Sequence, residues 1–268
     1  MTKAAPDAAA TEVGACAGSP FDRPSRTARW AVVDVLRGIA IIAVVAFHLT
    51  WDLGDLGFIS WRISAHWSGK VIAHAIAGSF LLLVGLSLVL AHRRGIRWAS
   101  FWRREVQLVA LALVITGFSA IFEPGELVTF GILHAIALVS LVGLPVVQAP
   151  RIVPWALAVV ALVLPWIVHL PGRSPWVSWT GLADGTEPSL DWQPMLPWIA
   201  LTFGGVGLMR WLLDTGEEAT TVARLRAWRP TATPVRWVGV LGRHTLAIYV
   251  VHQPVLYGAL WLLAQPHP

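Results

Sequence analysis

The sequence predicts an all-α fold, a polytopic membrane bundle of about seven transmembrane helices, and three observations indicate it. Of the 268 residues, 56% are hydrophobic and only 13% are charged, whereas a soluble domain has about 25% charged residues. The chain has 16 tryptophans, a residue that accumulates at membrane–water interfaces. Apolar runs of about membrane-spanning length lie at about 31–51, 71–91, 105–122, 127–148, 152–170, 192–213 and 238–264.

The chain outside these runs is short. Residues 1–29 lack an apolar core, so we expect a disordered cytoplasmic tail there, then one transmembrane domain over 30–264 and a short tail over 265–268. The fifth run is the least regular, because Pro154 and Pro165 interrupt it.

The placement of basic residues predicts the orientation. If the N-terminus is cytoplasmic, all but three of the 20 Lys and Arg residues lie on the cytoplasmic side of the membrane or at the cytoplasmic ends of spans. The three on the outer side are Arg62, Lys70 and Arg173. Cytoplasmic loops of membrane proteins carry such an excess. We therefore expect an inner-membrane protein with its N-terminus inside and its C-terminus outside.

Composition also limits the partners. The net charge of +5 would suggest nucleic acid in a soluble protein, but no basic domain lies outside the predicted spans, so we expect membrane lipids and no nucleic acid. The single cysteine, Cys16, excludes an internal disulfide and a cysteine metal cluster, and we expect no metal. A homo-oligomer is compatible with the sequence.

The first span carries one polar stripe. At 100° per residue, Asp34, Arg37, His48 and Asp52 fall within an arc of about 60°. Charge in lipid costs several kcal/mol, so we expect the stripe to face protein or a water-filled cavity. Arg37 would lie near one membrane face and His48 about 16 Å along the helix. An Asp34–Arg37 pair with a purely structural role explains that end of the stripe equally well.

Four histidines in four different spans, His48, His74, His134 and His252, are expected at similar depth. Each alone is explained by hydrogen bonding between helices, but four at one level predict a functional pocket. A neutral imidazole acts as a general base or as a nucleophile toward a thioester. Asp52 follows His48 by one turn and is placed to orient it. His48, Asp52 and His252 are therefore candidate catalytic residues.

The loops supply candidate binding residues. The basic segment 92–104 suits a polyanionic donor, although anionic lipid headgroups explain it equally well. Aromatic and carboxylate side chains in the outer loops suit a sugar-like acceptor or form an interfacial aromatic belt. The donor candidates are Arg37, Arg93, Arg94, Arg103 and Arg243, and the acceptor candidates are His66, His74, His134 and Asp191.

Five blocks of the sequence resemble the heparan-α-glucosaminide N-acetyltransferase catalytic family, especially its short bacterial members, within the wider acyltransferase type 3 superfamily. The first and last blocks are the most specific, and ten residues separate Arg37 from His48, as in that superfamily. The blocks are Val33-Asp34-Val-Leu-Arg37-Gly38-Ile-Ala40, Ser79-Phe-Leu-Leu-Leu-Val-Gly85-Leu-Ser87, Gly131-Ile-Leu-His134, Asp191…Leu196-Pro197-Trp198 and Leu241-Gly242-Arg243-His244-Thr-Leu-Ala-Ile-Tyr249-Val-Val-His252-Gln253-Pro254.

The resemblance implies an acyltransferase that takes an acetyl or other acyl group from cytoplasmic acyl-CoA. The acceptor would be a sugar amine or hydroxyl at the outer face, reached directly or through an acyl-histidine. His48, Arg37 and His252 match functional positions of the family. The animal members also carry a histidine shortly before Trp-Asn-Gly in the first luminal loop, where this chain has His66-Trp67-Ser68-Gly69. Both His48 and His66 thus stay open as the catalytic histidine; we favour His48, because a helix fixes it.

Two other functions use the same residues. A proton-coupled transporter would use the intramembrane histidines as a relay, although the sequence shows no inverted repeat. A haem- or quinone-binding membrane subunit would use two of them as axial ligands.

Overall fold

The computed structural model describes residues 30–186, 188–214 and 220–265, and it is helical with no strand in those ranges. The prediction of a polytopic helical bundle is confirmed. The tail expected at 1–29 lies outside the described residues, as do residues 266–268 of the tail expected at 265–268.

The described residues form ten helices, four of which are long and apolar enough to cross a membrane, namely α1, α2, α3 and α10. Two more, α4 and α5, are apolar but shorter. In chain order the helices are α1 (Ala31–Asp55), α2 (Trp67–His92), α3 (Trp98–Phe122), α4 (Ile132–Val146), α5 (Ile152–Ile167), the single turn α6 (Pro175–Ser178), α7 (Ile199–Asp214), α8 (Thr220–Ala227), α9 (Thr233–Arg243) and α10 (Thr245–Ala264).

Two of the predicted runs are not continuous helices. The sixth becomes helical only at Ile199, because Pro194 and Pro197 lack a backbone N–H to donate and the chain before Ile199 forms a bend and a turn. The seventh breaks at His244, whose φ of −107° and ψ of 17° leave the helical region, and this separates α9 from α10. In contrast, α5 runs through Pro154, because that proline lies in the first helical turn, where no intrahelical bond is lost.

The bundle has a central layer and a lipid-facing layer. Helix α2 packs on α4 and α7, and side chains such as Leu81, Val139 and Val206 are almost inaccessible there. Helices α3, α5 and α10 instead expose large apolar side chains, among them Val114 and Trp166. Helices can face lipid because their backbone polar groups are bonded internally.

Successive long helices run in opposite directions, so the bundle has two ends. We call the end where α1 begins the basic end; it includes residues 92–98, 146–152 and 220–244. The far end includes residues 56–66 and 123–131. Helix α1 contacts α2, α9 and α10 and therefore connects the basic end with the middle of the bundle.

Candidate active site

The polar stripe of α1 faces protein, as predicted. Near the basic end, Arg37 Nη2 donates to Ser87 Oγ of α2 at 2.5 Å and lies 3.7 Å from Asp34 Oδ1. Ser87 Oγ in turn donates to the Leu83 carbonyl. Arg37 therefore links α1 to α2, which supports a structural role at this end of the stripe.

The other end of the stripe meets α10. The rings of His48 and His252 meet edge to face, with centroids 5.0 Å apart and an interplanar angle of 65°. Beside them, Gln253 Nε2 donates to Asp52 Oδ1 at 2.9 Å, and Asp52 is only 1% exposed. We call His48, Asp52, His252 and Gln253 the α1–α10 cluster. It joins two imidazoles to a buried carboxyl and an amide.

The surroundings of His252 determine its tautomer. Its Nδ1 lies 2.6 Å from the Tyr249 carbonyl oxygen. A carbonyl oxygen only accepts, so Nδ1 carries the hydrogen, and a neutral ring then keeps a lone pair on Nε2. Because Nε2 makes no hydrogen bond among the described residues, His252 is prepared to accept a proton.

Two further acceptor atoms of the cluster also lack a hydrogen-bond partner. Asp52 Oδ2 and Gln253 Oε1 are buried and have no hydrogen-bond partner among the described residues. Buried polar atoms are nearly always paired, and leaving one unpaired costs about 1–3 kcal/mol. Acceptors collected in one place can bind an N–H or O–H group of a ligand and take up its proton.

The sequence did not predict Gln253 as a site residue, because its side chain is not ionisable. Its neighbour His252, in the last and most specific block, was the available signal. Asp52 was expected to orient His48; in the structure its bonded oxygen accepts from Gln253 instead, since the carboxyl points toward α10. Within the cluster, Asp52 is therefore hydrogen-bonded to the Gln253 amide and not to His48.

No hydrogen bond or ring contact among the described residues joins the other candidate histidines to this cluster. His74 is exposed and lies against Trp198, with ring centroids 4.9 Å apart. His134 Nδ1 accepts from the Gly131 backbone N–H at 3.3 Å, and its Nε2 lies 3.3 Å from Thr116 Oγ1. Of the four imidazoles expected in one pocket, the structure thus brings two into contact.

His66 is exposed beside Trp61, with ring centroids 5.9 Å apart. It lies in the turn that precedes α2, at the far end of the bundle. No ring contact or hydrogen bond in the described part of the chain joins it to His48 or His252. The geometry favours His48 over His66 as the reactive histidine.

Asp191 caps a helix. Its Oδ2 accepts from the Ile132 backbone N–H in the first turn of α4 at 2.8 Å. Gly131, which precedes that turn, has no side chain to do so, and a Cβ there would collide with the Asp191 carboxyl. Burial raises the pKa of the Asp191 carboxyl, and the hydrogen bond from Ile132 opposes this rise. Asp191, although distant in the sequence, therefore provides the helix cap that the residues next to the start of α4 lack.

The candidate donor arginines at the basic end differ in their contacts and in their exposure. Arg93 Nη2 is 3.0 Å from Asp214 Oδ1, and Arg151 Nε is 3.0 Å from Asp214 Oδ2. Next to them Arg151, Arg210 and Trp211 line a cavity of about 200 Å³. Arg94, Arg103 and Arg243 are exposed. An anionic donor would therefore meet partly paired cations here.

Fold and site together define a polytopic membrane protein with a histidine pair and a buried carboxyl between its first and last long helices. The family model described as heparan-alpha-glucosaminide N-acetyltransferase, catalytic, matches residues 29–254. That is most of the chain, so the protein belongs to this family of membrane acetyltransferases, and the resemblance seen in the sequence is confirmed. No curated protein and no solved structure matches.

Proposed function

We propose that this protein transfers an acetyl or other acyl group from acyl-CoA to a sugar amine or hydroxyl. The α1–α10 cluster is the observation on which the proposal depends. Family membership supports acetyl transfer in general, and the cluster supplies proton acceptors in a buried setting, as general base catalysis requires.

The proposed chemistry is direct transfer. The acceptor's N–H or O–H group binds among Asp52 Oδ2, Gln253 Oε1 and the imidazoles. Its nitrogen or oxygen forms a bond to the thioester carbonyl carbon while an imidazole of the His48–His252 pair takes its proton. The carbon–sulfur bond then breaks, and the departing CoA thiolate takes that proton from the imidazolium. Atoms and charge balance without a further reactant.

Charge distribution supports the direction of transfer. The basic end, which carries Arg93, Arg94, Arg103 and Arg243, suits the phosphates of the donor, because guanidinium groups bind phosphate oxygens well. With the N-terminus inside, this end faces the cytoplasm, where acyl-CoA is found. The acceptor would then reach the cluster from the far end, at the outer face of the inner membrane.

The first test measures CoA released from acetyl-CoA by purified protein given an amino sugar or a polyol. His48→Ala is expected to lower kcat by about 10²–10⁴-fold, the usual contribution of a general base. His169→Ala is the matched control, since His169 is exposed at the far end and lies outside the cluster. Thermal stabilisation by acyl-CoA provides an independent check of donor binding.

Unchanged turnover in both folded variants, His48→Ala and His252→Ala, would overturn the proposed mechanism, because either imidazole of the pair could act as the base. Acetyl label retained on wild-type protein without acceptor, and lost in His48→Ala, would replace direct transfer by an acyl-histidine route. Substrate flux into proteoliposomes without CoA would indicate a transporter.

A further inference from the structure

We propose that the segment Thr220–Arg243, which contains α8 and α9, is a docking surface for the anionic lipid headgroups of the leaflet at the basic end. We call this segment the α8–α9 arm. The inference depends on the placement of the bundle in a membrane, and of the arm's residues only Arg243 also belongs to the proposed donor site.

The charge of the arm is of one sign. Its described residues include five arginines, no lysine and no carboxylate, and all five arginines are exposed. The arm therefore presents positive charge that no acid within it offsets. The five residues are Arg224, Arg226, Arg229, Arg236 and Arg243.

Tryptophan accompanies these arginines. Trp228 is 39% exposed and directly precedes Arg229, while Trp237 is 65% exposed and directly follows Arg236. Indole rings settle at the headgroup level of a bilayer, and helices that lie in the interface combine basic and aromatic residues in this way. The arm thus carries both the charge and the anchors of a membrane-surface element.

The arm is held firmly on the bundle. Gly38 of α1 lies so close to the Val238 carbonyl that a Cβ would collide with it, and Gly242 of α9 lies equally close to the Asp34 carbonyl. In α8, Val222 is buried. Because both helices are docked, their arginines have a fixed place on the surface, and binding need not order the backbone first.

The exposed arginines of the arm suit a lipid surface. Exposed arginines spread over two helices suit a layer of headgroups, with each arginine near an anionic surface favouring binding about fivefold.

The test uses the full chain in bilayers of phosphatidylcholine containing phosphatidylglycerol. Spin-labelled forms of both lipids report the preference for phosphatidylglycerol at the protein boundary. The variant R224Q/R229Q/R236Q is expected to lower this preference at least about fivefold. High salt should weaken the preference of the wild type, because exposed charges are screened.

The matched control is R62Q/K70Q/R173Q, which removes the same charge at the far end and should change the preference much less. Carboxylates already offset those cations, among them Asp55, Glu123, Glu126 and Asp184. An equal loss in both triple variants would overturn the proposal, because net charge alone would then explain it. An unchanged lipid preference in an arm variant whose Tm in detergent matches the wild type would also overturn the proposal. So would an arm variant that loses CoA binding but keeps its lipid preference.

Discussion

At the scale of single residues, the carboxyls of Asp52 and Asp191 have different tasks. Asp191 is committed to the first turn of α4 through Ile132, whereas Asp52 has one oxygen bonded to Gln253 and the other unpaired. A buried oxygen without a hydrogen bond raises the free energy of the folded state. Such an oxygen is useful only where a ligand supplies the missing hydrogen bond. Geometry thus favours Asp52 as the functional carboxyl and Asp191 as a structural one.

The cap predicts how Asp191 variants behave. Asp191→Ala should lower the free energy of unfolding by about 1 kcal/mol, as for the loss of other helix caps. Asp191→Asn retains an acceptor oxygen and should stay close to the wild type. Thermal unfolding of the purified protein measures both. A stable Asp191→Ala protein with a raised KM for the acceptor would instead support the substrate-binding role predicted from the sequence.

The pKa of Asp191 adds a pH dependence. Burial raises it in the folded protein, so between the ordinary carboxyl pKa and the raised value the folded state binds more protons than the unfolded one. Stability from this group is therefore complete below the ordinary pKa and is lost as pH rises through the raised one. Asp191→Asn should lack this decline in Tm, and an identical pH profile in both proteins would contradict the assignment.

At the scale of helices, close backbone contacts determine which elements meet. Gly85 of α2 lies against the Thr202 carbonyl of α7, and Gly205 of α7 lies against the Leu82 carbonyl of α2. Small residues allow such approach between membrane helices, where packing, rather than hydrophobicity, drives association. The same device holds α9 on α1.

Neighbouring glycines in α7 provide a matched test of this packing. A Cβ on Gly205 would lie 2.5 Å from the Leu82 oxygen, whereas a Cβ on Gly204 would meet nothing within 4 Å. Gly205→Ala should lower stability by about 1–3 kcal/mol through overpacking. Gly204→Ala should leave it unchanged or raise it by up to about 1 kcal/mol, since alanine favours helix. Equal Tm shifts for the two variants would contradict the α2–α7 contact.

At the scale of the whole molecule, α1 connects the two ends of the proposed reaction path. It contacts α9 at the basic end and meets α10 at the cluster. A donor arriving among cations and an acceptor arriving from the far end would therefore meet along one helix. This path requires the basic end to face the cytoplasm.

The orientation can be tested with the cysteine that the chain already has. Cys16 is its only cysteine, so a membrane-impermeant maleimide should label wild-type protein only after cells are permeabilised. The control combines Cys16→Ser with Gln265→Cys, which moves the thiol to the end of α10 and should be labelled in intact cells. Labelling of Cys16 in intact cells would reverse the predicted topology.

The sequence by itself determined the all-helical membrane class, the polar stripe of α1 and the family. These follow from local properties, namely apolar length, a helical period of 3.6 residues and short motifs. Only the tertiary structure decided that Gln253 bonds Asp52, that Asp191 caps α4, and that His48 meets His252. Each of these depends on contacts between residues far apart in the chain, which no local pattern encodes.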